Sequence, residues 1–121
     1  MLAREEKIEK LVEAVEKNIV KQTEALEKGK HGNQYAKKTI KAFNELKKMP
    51  KNVGREKLSK LLSHERADVR STVAAFLLRY KHEESMKVLK ELARKDNFQG
   101  FAASECIKRW EEGAWQLDPE E

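Results

Sequence analysis

The chain has 121 residues, 39 % of them apolar and 39 % charged, and carries a net charge of +5 from 26 basic and 21 acidic side chains. A length of this order suits one domain, and the charged share stands well above the usual quarter or so. Nothing approaches the ~18 consecutive apolar residues of a membrane span, the start MLAREEKIEK has no signal-peptide character, and the single cysteine, Cys106, has no partner for an internal disulfide, so a reducing, cytoplasmic setting is expected.

Only two prolines and five glycines interrupt runs of Ala, Glu, Lys, Leu and Arg, which predicts an all-α protein. In chain order, the first helix runs from about Leu2 to Lys28. Its residues Ile8, Leu11, Val12, Val15, Ile19 and Leu26 recur at three- and four-residue steps and line one face. Gly29 and Gly32, in a turn GKHG suited to positive φ, end it. A second helix follows from about Asn33 to Met49, with Tyr35, Thr39, Ile40, Phe43 and Leu46 inward and Lys37, Lys38, Lys41, Glu45 and Lys48 opposite. Pro50 stops it, and PKNVG connects it to the next.

The third helix spans roughly Arg55 to Leu62, with Leu58, Leu61 and Leu62 inward, and Ser63 to Ala67 form a polar turn. The fourth runs from about Asp68 to Arg79, with Val69, Val73, Leu77 and Tyr80 on one face and Phe76 beside them. The fifth starts near Glu83 and uses Met86, Leu89, Leu92 and Ala93. Asn97 or a neighbour caps the sixth, in which Phe98, Phe101, Ala102, Cys106, Ile107 and Trp110 recur at helical spacing. Gly113 ends it, and a tail from Trp115 to Glu121 follows.

The last four helices repeat. An offset of 31 carries Leu58, Leu61 and Leu62 onto Leu89, Leu92 and Ala93, and an offset of 29 carries Val69, Val73, Leu77 and Leu78 onto Phe98, Ala102, Cys106 and Ile107. A helical pair that cannot bury its apolar stripe alone implies a stack of pairs. The expected organisation is one domain over residues 1–121: an atypical helix pair at 1–50, repeats at 55–80 and 83–112, a tail at 113–121, and about six helices in three antiparallel pairs.

The stretch LLSHERADVRSTVAAFLL resembles the core of a HEAT repeat. Leu61 and Leu62 stand for the Leu-rich first helix, Ser63–Ala67 for the turn, Val69 and Arg70 for the Val-Arg opening of the second helix, and Val73, Ala74 and Ala75 for its alanine-rich body. The second copy has Gln99 where the arginine falls, with Gly100 after it, and the turn has Ala67 in place of the usual proline. The chain is also similar to small bacterial proteins of HEAT-like type that end in a Trp–acidic–Gly–x–Trp segment such as Trp110 to Trp115, a similarity that carries no activity. The resemblance implies a HEAT-like right-handed α-α superhelix that binds partners on its curved face.

Charge is unevenly spread. Residues 28–60 hold eleven basic residues against only Glu45 and Glu56, a local balance of +9. Lys37, Lys38, Lys41 and Lys48 share a face of the second helix, with Arg55, Lys57 and Lys60 as extensions, and such a row of cations suits phosphates. The competing reading is a solvated face opposed by Glu16, Glu24 and Glu27 of the first helix. Asp68 stands where a carboxylate accepts free N–H groups at a helix start, and Arg70 is expected to reach carbonyls or an acid of a neighbouring repeat. His31, His64 and His82 fall in predicted turns without metal-ligand spacing, and Cys106 lies on an apolar stripe. Trp110 reads as core. Trp115 either folds back over the end of the stack or anchors a partner.

No P-loop, GxGxxG, GxSxG, HExxH or CxxC motif occurs, so no catalytic, cofactor or metal residues are assigned. The expected function is a non-enzymatic helical-repeat module for protein–protein interaction, of adaptor or immunity type. The alternative is nucleic-acid binding through the basic face of residues 28–60. Candidate surface residues are Lys37, Lys38, Lys41, Lys48, Arg55, Lys60, Arg70 and Trp115, and the first helix offers a route to a homodimer.

Overall fold

Local chemistry sets most of the helix ends in the computed structural model, which describes residues 4–115. Among these residues there are six α-helices and no strand. They are α1 (Arg4–Glu27), α2 (Asn33–Lys47), α3 (Val53–Leu58), α4 (Ala67–Phe76), α5 (His82–Ala93) and α6 (Phe98–Glu111), with short 3-10 turns at Pro50–Asn52 and Ser59–Ser63. The expected start at Leu2 and the tail beyond Trp115 lie outside the described residues.

Two glycines close helices in the same way. After α1 the Gly29 N–H donates to the Leu26 carbonyl at 3.0 Å and the Lys30 N–H to the Ala25 carbonyl at 2.8 Å. After α6 the Gly113 N–H reaches Trp110 at 3.1 Å and the Ala114 N–H reaches Arg109 at 2.8 Å. This paired bonding needs a left-handed residue at the turn, and Gly29 and Gly113 supply it with φ of 72° and 75°. At the start of α6 the Asn97 side chain accepts from the Gly100 N–H at 2.8 Å, as its cap position predicts.

The chain divides into two compact units, Met1–Lys60 and Leu61–Glu121. In the first, α1 packs chiefly on α2, and α3 packs on both. Its core is built from Ile8, Val15 and Ile19 of α1, Ala42, Phe43 and Leu46 of α2 and Leu58 of α3, all nearly or fully buried. Two expected core residues are outside it. Leu26 is 49 % exposed, because the α1 stop turns Ala25 inward at that level. Ile40 is 41 % exposed, and the inward place goes to Thr39, whose hydroxyl donates to the Tyr35 carbonyl at 2.9 Å and so enters the core without a lost hydrogen bond.

The PKNVG connector is tighter than a loop. Lys51 and Asn52 both adopt left-handed φ of 58°, a conformation asparagine accepts and lysine adopts only under constraint. Gly54 then lies against the α2 backbone so closely that a β-carbon there would run into the Leu46 carbonyl. The expected third helix is not one α-helix: α3 ends at Leu58 and the chain tightens into the turn Ser59–Ser63, with Leu62 buried and Leu61 half-buried.

In the second unit α5 packs on both α4 and α6. The core holds Val69, Val73, Ala74 and Phe76 of α4, Leu89 and Leu92 of α5, and Ala103 of α6. α4 stops at Phe76 rather than Arg79, and Leu77 and Leu78 stay fully buried in the turn that follows. The main departure from expectation is the face of α6. Phe98 and Phe101 are 68 % and 64 % exposed, so the offset of 29 that laid Phe98 on buried Val69 matches apolar character but not burial. Gly100 and Ala103 turn inward instead, because at Gly100 a β-carbon would collide with the Lys95 carbonyl. Helix and backbone meet there only because no side chain intervenes.

Both approaches make a prediction. Gly54→Ala and Gly100→Ala should each lower stability by at least about 2 kcal/mol, since the obstacle is backbone rather than a movable side chain. Urea unfolding followed by circular dichroism checks this, and Gly29→Ala, where a β-carbon meets nothing within 4 Å, isolates the cost of positive φ alone.

Candidate functional site

The lysines of α2 are where the sequence places them. Lys37, Lys38, Lys41 and Lys48 are all exposed. Three of them, Lys37, Lys41 and Lys48, line one surface depression together with Ile40, Asn44 and Glu45. That set follows from the helical repeat: steps of three and four residues return to one face. Lys38 sits off this strip, its ammonium 5.9 Å from the centre of the Tyr35 ring. Lys47, half-buried, lies 5.7 Å from the Phe43 ring.

The surface is not a pure cation row. Ile40 exposes its aliphatic side chain between lysines, and Glu45 places a negative charge within the same depression. Of the proposed extensions, Arg55 is engaged with the connector: its Nη1 donates to Asn52 Oδ1 at 2.8 Å and to the Lys47 carbonyl at 3.3 Å. Lys60 is exposed within the Ser59–Ser63 turn. On α1, Glu24 and Glu27 are exposed and Glu16 is half-buried, and an exposed pair joins Lys57 to Glu9 at 4.0 Å.

In the second unit the charged residues around α4 bind their own turn. Asp68 is 7 % exposed. Its carboxylate accepts from Arg66 Nε at 3.0 Å and Nη2 at 2.9 Å, and from the Val69 N–H at 2.8 Å. Arg70 Nη1 donates to the carbonyls of His64 at 2.8 Å and Glu65 at 3.0 Å. The sequence leads one to expect Arg70 to reach carbonyls or an acid of a neighbouring repeat; its acceptors are carbonyls of its own preceding turn. Gln99, standing where the second copy lacks the arginine, accepts from Ser71 Oγ at 3.1 Å and ties α6 to α4.

The histidines separate. His31 is exposed in the turn after α1, and His64 Nδ1 accepts from the Arg66 N–H at 3.0 Å. His82 is the first residue of α5 rather than a turn residue. Its ring lies 5.2 Å from that of Trp110, and Trp115 meets Trp110 edge-on at 5.1 Å. Trp115 is half-buried, and its indole N–H is buried without an acceptor. Among the described residues, no group of three or more His, Cys, Asp or Glu side chains could hold a metal ion, and no helix is long and apolar enough to cross a membrane.

A second surface was not anticipated. Ala75, Phe101, Ala102, Glu105, Cys106, Arg109, Ala114 and Trp115 line a recess of about 610 Å³. A signal for it exists in the sequence: the face carrying Phe98 and Phe101 continues through Glu105, Lys108 and Glu112, an alternation of apolar and charged groups that suits a surface better than a core. Cys106 is one of its lining residues and is half-buried. Burial pushes the thiol up from 9.0 to about 11, against a smaller lowering by the nearby Arg109 guanidinium.

No protein-family model, curated protein or solved structure matches the chain.

The Cys106 environment has two measurable consequences. At pH 8 its alkylation by iodoacetamide should run about a hundredfold slower than that of the unfolded chain, because the thiolate is the nucleophile. The folded thiol also keeps its proton to higher pH than the unfolded one, so its contribution to stability is intact below pH 9.0 and declines as pH rises through about 11. Cys106→Ser should remove that alkaline slope in urea titrations at stepped pH.

Proposed function

We propose that the protein is a non-enzymatic helical module that binds another protein, and that the α2 surface takes an acidic amphipathic segment of that partner. The observation that carries this reading is the composition of the depression on α2: an exposed Ile40 lines it together with Lys37, Lys41 and Lys48, Asn44 and Glu45. An amphipathic helix lays apolar anchors into such a strip and meets the rim with charge. Carboxylates complement the three ammonium groups, and an aliphatic anchor covers Ile40. In architecture we propose a HEAT-like α-α superhelix of antiparallel pairs. Full burial of both Leu58 and Leu89, the positions that the offset of 31 equates, supports that reading.

Nucleic-acid binding is the second reading, favoured by the local balance of +9 across residues 28–60. Two features weigh against it at α2. Glu45 repels a phosphate chain, and an exposed isoleucine offers no stacking face to a base. A carboxylate-bearing helix gains from Ile40; a duplex does not.

Fluorescence anisotropy separates the two. The probe is a labelled synthetic helix of about 16 residues with leucines along one face and glutamates flanking them. Micromolar binding is expected at low salt, weakened at least tenfold, about 1.4 kcal/mol, by Lys37→Glu with Lys41→Glu, and measurably by Ile40→Ser. Absence of peptide binding at ~100 µM overturns the protein-binding reading at this surface. Duplex DNA bound instead, with a steep salt slope and indifference to Ile40→Ser, establishes the second.

A further inference from the structure

We infer that the α6 surface of the second unit is a self-complementary interface through which two copies of this chain pair about a two-fold axis. Phe98 and Phe101 are 68 % and 64 % exposed, the largest exposures among the big apolar side chains of the described residues. Leaving two phenylalanines in water forgoes a burial gain that is costly to waste. Phe101 also stands at the edge of a recess whose other walls include Ala75, Ala102, Ala114 and Trp115, small side chains beside a flat aromatic. Knob and hole therefore belong to the same patch.

Charge selects the occupant and its direction. Glu105 and Arg109 line the recess four residues apart on α6, and so follow one another along one face. When two copies of α6 run antiparallel, crossing at the level of Ile107, Glu105 stands opposite the second copy's Arg109 and Arg109 opposite the second copy's Glu105. In that same register Phe101 stands opposite Gly113 of the second copy, beside the Ala114 and Trp115 that form the hole. One alignment satisfies both the two ion pairs and the two insertions, which is the requirement of an isologous contact. A parallel arrangement places Glu105 against Glu105 and Arg109 against Arg109, and like charges in apposition oppose it. α1, whose Ile8, Val15 and Ile19 are already buried within the chain, offers no comparable strip. This pairing is independent of the ligand assigned to α2.

Sedimentation equilibrium on the full chain, from ~1 to ~300 µM, tests it. The expected result is a mass rising from 14.1 kDa towards twice that value and no further. Phe101→Ser, a change at an exposed position that leaves the fold intact by circular dichroism, should hold the protein monomeric over the whole range. Glu105→Arg and Arg109→Glu should each weaken association at least tenfold, and the two together should restore it. A monomer at every concentration overturns the inference. So does growth into open oligomers, which signals head-to-tail insertion, and so does a double swap that fails to restore pairing.

Discussion

The contact of Gly100 with the backbone of the α5–α6 connection fixes the rotation of α6, and the surface of the second unit follows from that rotation. A residue with any side chain there would strike the Lys95 carbonyl, so the helix seats itself with Gly100 and Ala103 inward. Turning these small residues to the core forces Phe98 and Phe101 outward, since they lie on the far side of a 3.6-residue turn. Close backbone packing thus replaces the burial that two phenylalanines would have supplied. Dispersion between well-fitted backbones is a workable substitute in a small core, and it leaves the largest apolar groups of α6 available to a partner. Gly54 does the corresponding service against Leu46 in the first unit.

Helix ends were legible in the sequence because their chemistry is local. Gly29, Gly113, Asn97 and Pro50 each act on backbone groups within a few residues, and each stands where a cap or stop was expected. Helix faces were less legible. On α6 apolar residues occupy two sides, and spacing alone selects neither. The deciding fact is the close approach of Gly100 to the Lys95 carbonyl just upstream, a backbone distance that apolar spacing does not encode. At Thr39 and Ile40 hydrophobicity pointed the wrong way, because a threonine that returns its hydroxyl to the helix carbonyl four residues back enters a core at little cost. The match of Val69 with Phe98 failed for the related reason that it aligned residue types without the backbone distance that governs which is buried, whereas Leu58 and Leu89 match in burial as well.

The candidate site was legible as charge and not as shape. Eleven basic residues in 33 positions mark a surface, yet they do not act alike. Arg55, the one arginine among them, is drawn onto the Lys47 carbonyl and the Asn52 side chain, as Arg70 further along the chain is drawn onto the carbonyls of its own turn; a planar, five-donor guanidinium suits this better than an ammonium. The lysines remain outward on a helix with a regular face. What narrows the broad basic window is helix geometry: Lys37, Lys41 and Lys48 line one depression on α2, and the other basic residues do not line it.

Two surfaces of different physical character result, one of lysines with an exposed isoleucine and one aromatic with Glu105 and Arg109 beside it. Their coupling needs no communication between units. A chain paired through α6 carries two α2 strips, and a partner with two acidic segments meets the second strip at the effective concentration set by its own linker rather than by the bulk. Three exposed lysines and one isoleucine make a weak site, since exposed charge pairs contribute little singly and are screened by salt. On the proposed pairing of the second unit, that weak contact becomes a bivalent one without adding a residue to it. A surface too sparse to bind tightly in one copy gains most from a second copy, and α6 leaves Phe98 and Phe101 uncovered for that pairing.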